Sequence, residues 1–203
     1  MTKKMFIFDL DGVLVEACDW HRDALNDALE ELYNYRISQI DHVSTFNGIP
    51  TSKKLLILSD RGIVPAEDHQ KINDLKQSKT IDIIEDQADI RPEKVMLLQA
   101  LRDQGYVVCC YTNSITKTAH LMLEKTGIKH LFDTILSNQD VENPKPHPEG
   151  YLHLMEKYDI KKNKCYIVED SPKGRAAAYA SGANVIEVDN SHDVTLQFIR
   201  ERV

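Results

Sequence analysis

Five short apolar runs constrain this chain more than any other feature: Met5–Phe8, Tyr106–Tyr111, Thr134–Leu136, Tyr166–Val168 and Val185–Val188. Each has the length of a buried strand, and in the second half of the chain they alternate with amphipathic stretches, as in a parallel sheet covered by helices. Pro92 at a first helical position, an apolar side made of Val95, Leu97, Leu98 and Leu101, and Gly105 just past the end predict one such helix. Ser171 as N-cap, Pro172 behind it and Gly182 as a stop predict another. From about Val15 to Ile90 the alternation ceases. There the stretch Trp20–Tyr35 carries an apolar stripe of Ala24, Leu25, Ala28, Leu29 and Leu32, the pattern of an amphipathic helix. The fold class expected is therefore α/β, with residues 1–14 and 91–203 forming the sheet domain and residues 15–90 an all-helical insert between its first two strands.

The formal net charge of -7, without a basic run, excludes nucleic acid and an anionic membrane as main partners, because both would repel such a surface. The apolar run after Lys3 and Lys4 is too short for a signal peptide or a membrane span, so a cytoplasmic protein is expected. Cys109, Cys110 and Cys165 lie inside hydrophobic runs, which suits buried reduced thiols better than bridges or a zinc site.

Four polar clusters follow predicted strands, where open parallel sheets bind their ligands. Asp9-Leu10-Asp11-Gly12 follows the first; by itself this pattern is often only a turn with glycine at an unusual dihedral. Thr112-Asn113-Ser114 follows the second and offers hydroxyls, an amide and main-chain N–H groups that suit phosphate oxygens or, equally, a helix start. In Asn143-Pro144-Lys145-Pro146-His147-Pro148, prolines stiffen the chain around one lysine. Glu169-Asp170 follows the fourth strand, and two unit charges about 4 Å apart repel by roughly 4 kcal/mol at an effective dielectric of about 20, so a positive group is required nearby.

Taken together, the clusters select a chemistry. Asp9, Asp11, Glu169 and Asp170 are hard oxygen donors of the kind Mg²⁺ takes, and Mg²⁺ with Lys145 would let a carboxylate approach a phosphate dianion. Asp9, ionised at neutral pH, is the expected nucleophile, forming an acyl phosphate that water cleaves. Asp11 is then the general acid and base.

These motifs, Asp9-x-Asp11-Gly12, Thr112-Asn113, Lys145 and Glu169-Asp170, resemble in order the four motifs of the haloacid dehalogenase-like hydrolase superfamily. The resemblance spans essentially the whole chain. It implies a Rossmann-like core with a helical cap inserted after the first motif. It further implies Mg²⁺ held by the Asp9 side chain, the Asp11 carbonyl and Asp170, with Glu169 near the metal, and phosphate gripped by Thr112, Asn113 and Lys145. An acid at Asp11 points to phosphate esters, since the dehalogenases and phosphonoacetaldehyde hydrolases of this superfamily lack one.

Within the superfamily the chain is most similar to the branch of β-phosphoglucomutases and sugar phosphatases. His21, Gly48 in the stretch Gly48-Ile49-Pro50-Thr51, and Lys76 match substrate-facing cap positions. Thr51 departs from the arginine that mutases carry three residues after that glycine. The expectation is a monomeric Mg²⁺-dependent phosphatase acting on a small phosphorylated metabolite such as a sugar phosphate, with a phosphosugar mutase as the alternative.

Overall fold

Strand β1 (Lys4–Phe8) is apolar along nearly its whole length because both of its faces are covered. In the computed structural model, which describes residues 3–46 and 49–203, it lies at the centre of a five-stranded parallel sheet ordered β3-β2-β1-β4-β5. The other strands are β2 (Tyr106–Tyr111), β3 (Thr134–Leu136), β4 (Cys165–Glu169) and β5 (Asn184–Glu187). In register, Ile7 pairs with Cys109 on one side and with Ile167 on the other. The helices in chain order are α1 (Cys18–Tyr33), α2 (Gln39–Asp41), α3 (Thr51–Asp60), α4 (His69–Gln87), α5 (Pro92–Asp103), α6 (Thr116–Lys125), α7 (Glu149–Lys157), α8 (Pro172–Ser181) and α9 (Leu196–Arg200).

The chain divides into two compact units, one of residues 1–17 and 88–203, the other of Cys18–Gln87. In the sheet unit, Met5, Ile7, Cys109, Tyr111, Cys165 and Ile167 point to one face and pack on Tyr151, Leu154 and Met155 of α7 and Ala177 and Ala178 of α8. The alternate residues Phe6, Phe8, Val108, Cys110 and Val168 are buried as well. Cys109, Cys110 and Cys165 are free buried thiols, and burial pushes all three above the usual thiol range.

Three strands, β1, β4 and β5, differ slightly from their predicted bounds. β4 runs on to Glu169, whose carbonyl accepts from Val188 N at 3.0 Å, so the ladder continues past the end of β5 and Val188 itself falls outside the strand.

Lys94 is an apparent anomaly, a lysine only 1% exposed. Its ammonium donates to the carbonyls of Ser191 and Val194, the latter at 2.7 Å, and so ties α5 to the segment before α9. Burial lowers its pKa to about 8. Glu16 accepts from the N–H and hydroxyl of the same Ser191, at 3.3 and 2.9 Å.

The second unit is helical. Leu25 and Leu29 of α1, Leu55 and Leu58 of α3, Ile72 of α4, and Phe46 build its core. Asn26 closes the turn after α1 by accepting from Ile37 N at 2.9 Å. The predicted stripe is buried at Ala24, Leu25, Ala28 and Leu29. The helix ends two residues earlier than its pattern suggested, because Asn34 takes a left-handed conformation (φ 51) that asparagine tolerates well. Among the described residues, no helix is long and apolar enough to cross a membrane.

Candidate active site

The sheet order sets the site. β2, β1 and β4 are adjacent, so the residues leaving their carboxyl ends converge. Asp9 follows β1, with its N–H still bound to Val168 O at 3.0 Å. The chain then turns so tightly that Leu10 O accepts from both Leu14 N and Val15 N. Gly12, at φ +84, makes this turn possible, and a Cβ there would lie 2.2 Å from an Asp170 carboxylate oxygen. The glycine is required both by its dihedral and by that close approach.

Asp11 Oδ2 accepts from the hydroxyls of Thr112, at 3.1 Å, and Ser114, at 2.9 Å. Thr112 Oγ1 in turn accepts from Ser114 N at 2.9 Å. The carboxamide of Asn113 is occupied elsewhere. Its oxygen accepts from Lys145 N at 3.1 Å and its nitrogen donates to Lys145 O at 3.0 Å, a two-point clamp on the main chain of the lysine. The Lys145–Pro146 peptide is cis.

The ammonium of Lys145, 5% exposed as a residue, lies between two acids. It donates to Asp9 Oδ1 at 2.8 Å and to Glu169 Oε1 at 2.5 Å. Glu169 is fully buried at the end of β4, and Tyr151 Oη donates to the same Oε1 at 2.9 Å while Ser171 approaches Oε2 with its N–H and hydroxyl, each at 3.3 Å. Ser171 also caps α8 by accepting from Gly174 N at 3.1 Å. Gly174 is glycine because a Cβ there would sit 1.9 Å from Glu169 Oε1. The positive group that the adjacent acids demanded is therefore Lys145.

One lysine does not balance the site. Single oxygens of Asp9, Glu169 and Asp170 lie within 4.8 Å of one another, and three carboxylates against one ammonium leave a formal double negative charge. Burial, then Glu169, raise the Asp9 carboxyl well above the ordinary range against the pull of Lys145. Burial, then Glu169, push Asp170 up to about 6. Burial alone would lower the pKa of Lys145, but Asp9 and Glu169 more than offset this and hold it well above its usual value. Asp170 Oδ1 is buried without a hydrogen-bond partner among the described residues. A buried orphan carboxylate oxygen beside uncompensated negative charge fits a divalent cation, which sets carboxylate oxygens around itself.

Two aromatic residues at this centre gave no signal in the sequence. The Lys145 ammonium lies 4.9 Å from the ring centre of Tyr111 and 5.4 Å from that of Tyr151, and the two rings meet edge to face at 5.0 Å. Tyr111 ends an apolar strand and Tyr151 sits on the apolar side of α7, so both read as core. In the helical unit, His21 of α1 and Lys76 of α4 meet although 55 residues apart, with Lys76 Nζ 3.2 Å from His21 Nδ1. An ammonium only donates, so Nδ1 is the accepting atom of this contact. Thr51 opens α3 behind Pro50, and Gly48 lies outside the described residues.

A doubly wound α/β unit with an acid–lysine centre at the carboxyl ends of its middle strands defines the class of this protein. The chain belongs to the haloacid dehalogenase-like hydrolases, whose family model matches residues 6–188. Among its relatives, the phosphoglycolate phosphatase of Pasteurella multocida is 26% identical over 192 residues, covering 90% of this chain and 84% of that protein. The fructose-1-phosphate phosphatase YqaB of Escherichia coli is 24% identical, covering 90% and 94%. Among solved structures, the β-phosphoglucomutase of Clostridium difficile superposes with a TM-score of 0.79 at 23% identity, covering 99% of this chain and 97% of that one, a likeness of fold.

Proposed function

We propose that the protein is a Mg²⁺-dependent phosphatase of a small phosphorylated metabolite, a sugar phosphate in particular, working through an aspartyl phosphate on Asp9. The observation that carries this reading is the buried Lys145 ammonium on Asp9, in a carboxylate cluster that one divalent cation would neutralise. The names of the two phosphatase relatives support the same reaction class and, through fructose 1-phosphate, the substrate class. Asp9, Asp170 and the carbonyl of Asp11 would hold the metal, with Glu169 beside them. Bound there, Mg²⁺ would screen the carboxylates from the phosphate dianion.

The chain's own groups supply the remaining steps. Asp9 attacks phosphorus as the bond to the leaving oxygen breaks, and Asp11 donates its proton to that oxygen. Asp11 then takes a proton from water, whose oxygen attacks the acyl phosphate, releasing orthophosphate and restoring Asp9. The hydroxyls of Thr112 and Ser114 hold Asp11 in the orientation both transfers need. Lys145 would offset charge on the transferring group, with its main chain fixed by Asn113. Since the Asn113 carboxamide is engaged with Lys145, its contribution to phosphate binding would come from its main-chain N–H. The helical unit Cys18–Gln87 would act as the cap, with His21, Lys76, Thr51 and Gly48 selecting substrate.

Orthophosphate release from a panel of sugar phosphates, phosphoglycolate and p-nitrophenyl phosphate tests this. Turnover should need Mg²⁺, cease with a chelator and be abolished by Asp9→Asn. Activity indifferent to Asp9→Asn would refute the reading. Isomerisation of β-glucose 1-phosphate without orthophosphate release would instead identify a mutase.

A further inference from the structure

Glu169 and Lys145 face one another in a site with three carboxylates, and nothing in a flexible lysine stem selects among them. The ammonium carries three donors, of which two go to Asp9 Oδ1 and Glu169 Oε1. Its other flank meets the faces of Tyr111 and Tyr151 rather than solvent. Tyr151, fully buried on α7, also spends its hydroxyl on the oxygen of Glu169 that Lys145 uses. One side chain thus touches both members of the ion pair, with its ring against the cation and its hydroxyl on the anion.

We propose that Tyr151 is a positioning residue, which aims Lys145 at the nucleophile by fixing Glu169 through its hydroxyl and walling in the ammonium with its ring. The claim rests on the phosphatase reading of the site for its kinetic consequence, and on geometry alone for its structural one. A purely structural role for Tyr151 would be core packing. Its neighbours in the apolar cluster, Leu154 and Met155 of α7 and Met5 and Ile7 of β1, ask only for an apolar ring. Phenylalanine would satisfy them. The hydroxyl has another use, because without it Glu169 Oε1 keeps a single donor, and that donor is the lysine itself. Glu169 is then held otherwise only through Oε2, by the two 3.3 Å contacts of Ser171, and the ammonium is drawn toward Asp170, the remaining carboxylate of the cluster. Tyr111 supplies the second wall, braced edge-on against Tyr151 at 88°.

The test compares Tyr151→Phe, which removes only the hydroxyl, with Tyr151→Leu, which removes the ring as well. Loss of a hydrogen bond to a charged group should lower kcat about tenfold in Tyr151→Phe with KM within about twofold, and Tyr151→Leu should fall further. The second readout is NMR of the metal-free protein, with the Lys145 Hε resonances assigned by their loss in Lys145→Met. A held side chain gives two distinct Hε shifts, displaced by the rings. Their separation should narrow in Tyr151→Phe and collapse in Tyr151→Leu. Wild-type kcat in Tyr151→Phe, or Lys145 resonances unchanged in the variants, would overturn the proposal. Should Tyr151→Leu not fold, Tyr151→Phe decides by itself. A wild-type protein that turns over no phosphate ester would refute the phosphatase reading, and the Lys145 resonances would then decide the positioning role alone.

Discussion

The contact between Gly150 and Tyr111 sets up a substitution whose sign depends on its neighbour. Gly150 sits in the first turn of α7, where alanine would ordinarily gain up to about 1 kcal/mol of helix propensity. Here the new Cβ would meet Tyr111 Cζ at 2.4 Å and both Cε atoms at 2.6 Å, against roughly 3.5–4.0 Å for an ordinary carbon contact. The ring must retreat by about 1 Å, and it is fully buried with Tyr151 and Lys145 around it. Overpacking of this kind costs about 1–3 kcal/mol, so Gly150→Ala should be destabilising by about 1–2 kcal/mol net. In a Tyr111→Val background the obstacle is gone and the same change should stabilise, by about 0.5–1 kcal/mol. The coupling between the two positions is then about 2 kcal/mol, well above the noise of a double-mutant cycle. Urea unfolding should be followed by far-UV circular dichroism, because the single tryptophan, Trp20, belongs to the other unit and reports on that one. Equal effects of Gly150→Ala in both backgrounds would refute the steric argument, as would stabilisation by Gly150→Ala in the wild type.

Two further outcomes follow from buried charges. Gly174→Ala should drive the Glu169 carboxylate off Lys145 and Tyr151; breaking a buried pair costs about 3–5 kcal/mol, read as a fall of about 10 °C in Tm, and an unchanged Tm would contradict the packing. Lys94 has its pKa lowered to about 8 by folding, so between about pH 8 and 10.5 the unfolded chain binds the proton that the folded one has lost, and stability rises with pH across that window. Relative to Lys94→Met, the wild type should gain up to about 3 kcal/mol from pH 7.5 to 10.5, and parallel pH profiles of urea stability for the two proteins would exclude a charge on Lys94 as the cause.

Much of the fold and of the acid–lysine cluster was legible because the relevant signals are local. An apolar run followed at once by acids, a serine before Pro172, and a glycine after Asp11 each report on their immediate neighbours. The stripe on α1 likewise names its own buried face. What escaped depends on partners distant in the chain. Asn113 reads as a phosphate ligand, and nothing local to it tells that Lys145, 32 residues away, engages both ends of its carboxamide. Tyr151 and Tyr111 read as core and are core, yet they also wall in a cation that periodicity cannot display. Lys94 has the look of a solvated residue at a helix start, and only the carbonyls of Ser191 and Val194, about a hundred positions later, account for its burial.

The central place of β1 also governs when the site can come into being. Asp9 is synthesised early, but the strands that flank it, β2 and β4, lie about one hundred and one hundred and sixty residues further along. Lys145 and Glu169 follow the whole helical insert. On the ribosome Asp9 therefore emerges long before the groups that surround it in the folded centre, which comes together only when β4 docks beside β1. The acid–lysine centre is thus a late product of synthesis, and a chain truncated before Glu169 would carry Asp9 without its partners.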